Sequence, residues 1–190
     1  ALLCSRRLKI PPAGSIDWTL DQYWRRSIDF ARQLGRMASE LGAVVGLENS
    51  LPVVGTAKVA RQFLDEVAMD EIGLTLDTGH FWSILQEDEF GKYRENPLRC
   101  TEEGARQLNT MCNDMAGAVA DKIVGIHIHN LRSSDWLDHQ AVDRGVMDYT
   151  ALFEILRASG YNRTVTVELR PTGDWSAFES SAEYLRRFMA

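Results

Sequence analysis

The sequence predicts an α/β chain organised on a parallel sheet, and three observations carry that prediction. Short apolar runs alternate with stretches of helical periodicity along the whole length. The runs are rich in Val, Ile, Leu and Thr and show no polar alternation, as expected of strands buried on both faces. Four of them end on a side chain that can bind a metal ion, namely Glu48, Asp77, His127 and Glu168. A carboxylate or imidazole closing a hydrophobic strand is costly unless something at that place needs it. Four of them at the same end point to one polar site at the C-terminal rim of the sheet, the rim that carries the active site in a (β/α) barrel.

In chain order, Ala-Leu-Leu-Cys at 1–4 reads as a first strand. Thr19 followed by Gln22 forms a capping box that opens a helix with apolar residues at Trp24, Ile28, Ala31, Leu34, Ala38 and Leu41, and Gly42 stops it. The second strand is Gly-Ala-Val-Val-Gly-Leu-Glu at 42–48. A helix after Thr56 buries Val59, Phe63 and Val67, and Ile-Gly-Leu-Thr-Leu-Asp at 72–77 is the third strand. The polar stretch 86–97, with Gly91 and Pro97, reads as a loop or lid near the mouth of the site. A helix after Thr101 carries Ala105, Leu108, Met111, Met115 and Val119 on one side. The fourth strand, Ile-Val-Gly-Ile-His-Ile-His at 123–129, precedes a helix from near Asp148 to Gly160 presenting Leu152, Ile155 and Leu156. Thr-Val-Thr-Val-Glu at 164–168 is the fifth strand, and Ser176 with Glu179 predicts a capping box for the last helix.

The chain has 190 residues, 45% hydrophobic and 25% charged, a globular composition with enough apolar mass for a core. No stretch approaches the ~20 apolar residues of a membrane span. Cys4, Cys100 and Cys112 share no metal-ligand spacing, so free thiols in a reducing, cytoplasmic setting are expected. A formal charge of −6, from 21 basic and 27 acidic residues, argues against a protein that grips nucleic acid. A closed eight-stranded barrel usually needs about 250 residues. The five strands read here are therefore expected to be the C-terminal part of a longer chain.

Three carboxylates and an imidazole suit Mn²⁺, Mg²⁺ or Co²⁺ better than a thiolate-seeking ion. Taken singly, each is equally a strand-end carboxylate capping the next helix or a salt-bridged structural residue. His80, in Asp-Thr-Gly-His at 77–80, is a second metal ligand, a donor to a substrate hydroxyl or a residue at a helix start. His127 and His129 share one face of their strand, so one can bind a metal and the other support it. Asp138 and His139 read as solvated loop residues, although His139 is also a candidate substrate contact. Arg132 can hold a substrate oxygen or phosphate. Trp82, beside Phe81, can stack on a sugar face or serve the core.

These patterns resemble the xylose-isomerase-like TIM-barrel superfamily of sugar (phosphate) isomerases and epimerases, with ketose 3-epimerase and inosose dehydratase-like members. Leu47-Glu48-Asn49 is similar to the glutamate ending the family's fifth strand, and Asp77-Thr-Gly-His80 to the Asp-x-x-His of the sixth. Ile126-His127-Ile-His-Asn130 resembles the seventh-strand histidine segment. Asp143-Arg-Gly145-Val-Met-Asp148-Tyr149, Gly160-Tyr161 and the strand ending at Glu168 resemble the remainder, although one glycine of the family's Gly-x-Gly is replaced. The resemblance implies a (β/α)8 TIM barrel of which about the last five β/α units are present, with 1–190 a single domain lacking its N-terminal strands.

It further implies one divalent ion (Mn²⁺ first, with Mg²⁺, Co²⁺ or Zn²⁺ as alternatives) held by Glu48, Asp77, His127 and Glu168. His127 rather than His129 is the ligand on this resemblance. The implied activity is isomerisation or epimerisation of a small sugar-like substrate through a metal-stabilised enediolate, with Glu48 and Glu168 moving the proton. His80, His129, Arg132, His139 and Trp82 would contact substrate. A dehydratase using His139 or His80 as acid is the alternative. An abasic-site nuclease of the endonuclease IV type is disfavoured by the charge and by Asp138 and His139 being adjacent, where that branch shows Asp-x-His. No nucleic acid or membrane partner is expected, and a homo-oligomer is allowed.

Overall fold

The computed structural model describes residues 19–50, 52–81, 97–170 and 175–188. The expected first strand at 1–4, Trp82 and all of the expected loop 86–97 except Pro97 lie outside the described residues. Four strands form one parallel sheet in sequential order: β1 (Val45–Glu48), β2 (Ile72–Asp77), β3 (Ile123–Ile128) and β4 (Val165–Val167). Helices separate them: α1 (Leu20–Glu40) precedes β1, and α2 (Ala57–Val67) links β1 to β2. α3 (Glu102–Ala118) precedes β3, α4 (Thr150–Ala158) precedes β4 and α5 (Ser176–Arg186) follows it.

α1 begins as its sequence dictates. The Thr19 hydroxyl accepts from the Gln22 N–H at 3.2 Å and the Gln22 side chain accepts from the Thr19 N–H at 2.9 Å. The helix stops at Gly42, whose φ of +61° is a left-handed conformation that glycine tolerates. Ile28, Ala31 and Ala38 are buried as expected, but Leu41 is 77% exposed. Leu41 is the C-cap, where the chain leaves the helical path and the stripe no longer faces the core.

The core lies between the helices and the sheet. Phe63, Leu64 and Val67 from α2, Leu108 and Met115 from α3, and Leu152 and Leu156 from α4 cluster with Ile72, Leu74, Leu76, Ile126 and Ile128. β2 is buried at every position because it has a strand on each side and helices over one face. β1 is half-buried throughout, and Thr166 in β4 is exposed. Their apolar composition therefore overstates their burial among the described residues, since each borders only one described strand.

One predicted cap is incorrect. α5 has Trp175 at its N-cap, and main-chain bonds from Phe178 and Glu179 to the Trp175 carbonyl open the helix, so the Ser176–Glu179 capping box does not form. Among the described residues, no helix is long and apolar enough to cross a membrane.

Candidate metal centre

Register puts the site together. Asp77, the last residue of β2, pairs with His127 of β3, so both side chains emerge at the same level. Glu48 ends β1, and Glu168 follows the last residue of β4, its N–H bonded to the Ile128 carbonyl at 3.1 Å. Parallel strands ending together thus bring four residues, separated by up to 120 positions in sequence, to one rim.

The side chains form two overlapping ligand sets that share Asp77. Glu48, Asp77 and His80 offer donor atoms within 4.8 Å of one another, and so do Asp77, His127 and Glu168. Asp77 is the floor, with no exposed side-chain surface, whereas Glu48 and Glu168 are partly open at the rim. His80 Nδ1 lies 2.8 Å from Glu48 Oε1, and its Nε2 lies 3.6 Å from Asp77 Oδ2. His127 Nδ1 is 3.2 Å from Glu168 Oε2 and 3.9 Å from Asp77 Oδ2.

The two oxygens of Asp77 differ. Oδ1 accepts from the Gly79 N–H at 2.9 Å and faces His129 Nε2 at 3.0 Å. Oδ2 is buried and makes no hydrogen bond among the described residues, and His127 Nδ1 is in the same condition. A buried carboxylate oxygen and a buried imidazole nitrogen that have ion-pair neighbours but no hydrogen bond among the described residues cost free energy that a cation between them would offset. Three carboxylate oxygens and neutral imidazole nitrogens are also the donors a divalent ion takes. The residues present therefore fit a divalent metal.

Electrostatics follow the same geometry. Burial pushes the Asp77 carboxyl up, but the hydrogen bond from His129, the neighbouring His80 and the Gly79 N–H outweigh it and hold Asp77 below its ordinary value. Burial lowers His80, yet its bond to Glu48 and the charges of Asp77, Glu48 and Glu168 leave it raised.

The other expected contacts fall in different places. His129 is fully buried behind Asp77, where it has no open face for a substrate. Asp138 and His139 lie in a loop, but they are half-buried and not fully solvated. The His139 ring stacks on His129 at 4.1 Å and 5°, and its main-chain N–H bonds to His129 Nδ1 at 2.9 Å. His139 Nδ1 is 3.2 Å from Asp138, and its Nε2 looks toward Glu168 at 3.9 Å. That packing leaves the pair only partly exposed. The Arg132 guanidinium is exposed and committed to Asp135, with Nε–Oδ1 at 2.7 Å.

Four residues went unrecognised in the sequence. Asn49 is buried and its amide bonds both the N–H and the C=O of Asp77, at 2.7 and 3.0 Å. Gly79 makes room for His129, because a Cβ there would lie 1.9 Å from His129 Cε1. Tyr149 donates its hydroxyl to the His129 carbonyl at 2.6 Å. Arg170 binds the Asp138 carboxylate and carbonyl. Only position hinted at them: Asn49 follows Glu48, and Arg170 stands two residues past Glu168.

Residues 4–188 match the sequence profile of the family described as xylose isomerase-like TIM barrel. An inosose dehydratase of Erwinia tasmaniensis is 25% identical over 150 residues, which cover 78% of this chain and 48% of that protein. The chain thus spans about half the length of this curated relative. A D-tagatose 3-epimerase-like protein superposes with a TM-score of 0.64 at 16% identity, covering 95% of this chain and 58% of its own. The IOLI protein with a bound zinc atom superposes with a TM-score of 0.57 at 22% identity, covering 92% and 59%. At these identities the superpositions establish the fold, a parallel α/β arrangement of the TIM-barrel kind.

Proposed function

Because the chain belongs to the xylose isomerase-like TIM barrel family, we propose that it serves a divalent-metal-dependent isomerase or epimerase acting on a small sugar-like compound. The observation that supports this best is Asp77 Oδ2, a buried carboxylate oxygen without a hydrogen bond among the described residues, shared by two ligand sets. Glu48, Asp77, His127 and Glu168 would hold the ion, with His80 within reach. When bound, the ion would polarise a substrate carbonyl and so acidify the neighbouring C–H.

The chain's own groups do the rest. Glu48 and Glu168 stand at the partly open rim, where a carboxylate can take a proton from carbon and a second acid can return it. His80, whose Nδ1 lies 2.8 Å from Glu48 Oε1, is placed to exchange that proton with the Glu48 carboxylate. Asp77, with no exposed surface, is suited to binding and not to proton transfer.

A second reading, dehydration, has a specific observation behind it. Asp138 holds His139 Nδ1, which leaves Nε2 directed toward Glu168. An imidazole held in this way can give a proton to a departing hydroxyl. The similarity to an inosose dehydratase is in keeping with that arrangement.

The test is to incubate the Mn²⁺-supplemented chain with a panel of ketoses and inososes in D₂O. Deuterium entering carbon with a new stereoisomer supports epimerisation, and an enone absorbance supports dehydration. Glu168→Gln is expected to abolish turnover while Mn²⁺ binding is largely retained. Unchanged activity in that variant would refute the assignment.

A further inference from the structure

We infer that His129 is a positioning residue that decides which oxygen of Asp77 faces the metal ion, with Gly79 and the His139 main chain as its mount. The inference rests on the metal-site reading above. His129 has no exposed surface, so it cannot act by touching substrate.

Its two ring nitrogens have distinct partners. Nδ1 lies 2.9 Å from the His139 N–H, which can only donate, so Nδ1 accepts and the hydrogen sits on Nε2. The Asn130 carbonyl, 3.4 Å from Nδ1, would need the opposite tautomer and offers the longer contact. Nε2–H therefore donates to Asp77 Oδ1 at 3.0 Å.

The same oxygen receives the Gly79 N–H at 2.9 Å. Two donors on Oδ1 hold the carboxylate against rotation about its Cβ–Cγ bond. Oδ2 then stays toward His80 and His127. Without the imidazole, the two oxygens can exchange places at the cost of a single remaining bond.

The surroundings hold the ring in that plane. His139 stacks on one side, and Gly79 lies so close that any side chain there would strike the imidazole. The His129 main chain is tied at both ends, its N–H to Thr78 Oγ1 at 3.3 Å and its carbonyl to Tyr149 at 2.6 Å. A histidine that merely filled the core would need none of this orientation. Groups that orient a metal ligand through hydrogen bonds typically contribute about 10- to 100-fold in metal affinity.

The experiment is a Co²⁺ titration by calorimetry and by visible d–d absorption on the full chain, Gly79→Ala, His129→Ala and the double variant. Melting of each chain without metal is recorded alongside. Each single substitution is expected to weaken Co²⁺ binding by about 10- to 100-fold and to change the absorption envelope. The double variant is expected to bind no worse than His129→Ala, since the added methyl then has no imidazole to strike. Parent-like affinity in His129→Ala, or losses that multiply in the double variant, would overturn the inference while leaving the metal site standing. A parent chain that takes up no Co²⁺ would overturn the metal-site reading and this inference with it. His129→Phe keeps the ring volume and the stack, and it is expected to lose affinity like His129→Ala should the truncation unfold the chain.

Discussion

Replacing Asn49 by Leu tests how the rim of the sheet is held. The β1–β2 ladder pairs Val45 with Ile72 through to Glu48 with Thr75, and main-chain pairing ends there. Asp77 lies two residues beyond, and the Asn49 side chain takes over the role of a strand by bonding both its N–H and its C=O. Leu has the same number of side-chain heavy atoms and the same branching at Cγ, with neither donor nor acceptor. Each buried main-chain group left unmatched costs about 1–3 kcal/mol, so the two together cost about 2–6 kcal/mol. For a chain of this size each kcal/mol lowers the melting temperature by about 2–4 °C, which gives a fall of roughly 4–24 °C. Calorimetry on parent and variant in metal-free buffer reads this directly. A shift under about 2 °C would show that water or a rearranged backbone satisfies Asp77 and would refute the reasoning.

Thr19→Ala removes one half of the α1 capping box and is expected to cost about 0.5–2 kcal/mol, seen as a small drop in urea midpoint with an unchanged slope. Cys112 is fully buried, and burial with the nearby Asp77 charge pushes its thiol up to about 12, whereas Cys100 is exposed. Peptide mapping after brief iodoacetamide treatment of the folded chain should find Cys100 alkylated and Cys112 intact, and equal labelling would contradict the packing. The Arg132 hydrogen bond is the main cause that holds the Asp135 carboxyl at about 2. A carboxyl lowered in the folded state contributes stability above its unfolded value near 3.9, and that contribution disappears as pH falls toward about 2. NMR titration should show Asp135 moving up in Arg132→Gln, and high salt should weaken the pair because it is exposed.

The parallel α/β organisation was legible in the sequence because its signals are local. A run such as Ile-Gly-Leu-Thr-Leu-Asp can bury both faces only inside a sheet, and the Thr19–Gln22 pair reads directly as a helix start. Where a local signal competed with main-chain geometry it failed: Ser176 and Glu179 have the spacing of a capping box, but the turn at Trp175 already supplies the first bonds of the helix. The convergence of Glu48, Asp77, His127 and Glu168 was also readable, since strands that run the same way must end on the same side.

The division of labour among those residues was decided only by the tertiary structure. That His129 backs one oxygen of Asp77, that Asn49 completes its main-chain pairing and that His139 stacks on His129 all depend on chain segments 10 to 52 positions apart. The spacing of residues along a strand assigns a face, but a hydrogen bond also needs distance and direction, and those exist only once neighbouring strands and loops are in register.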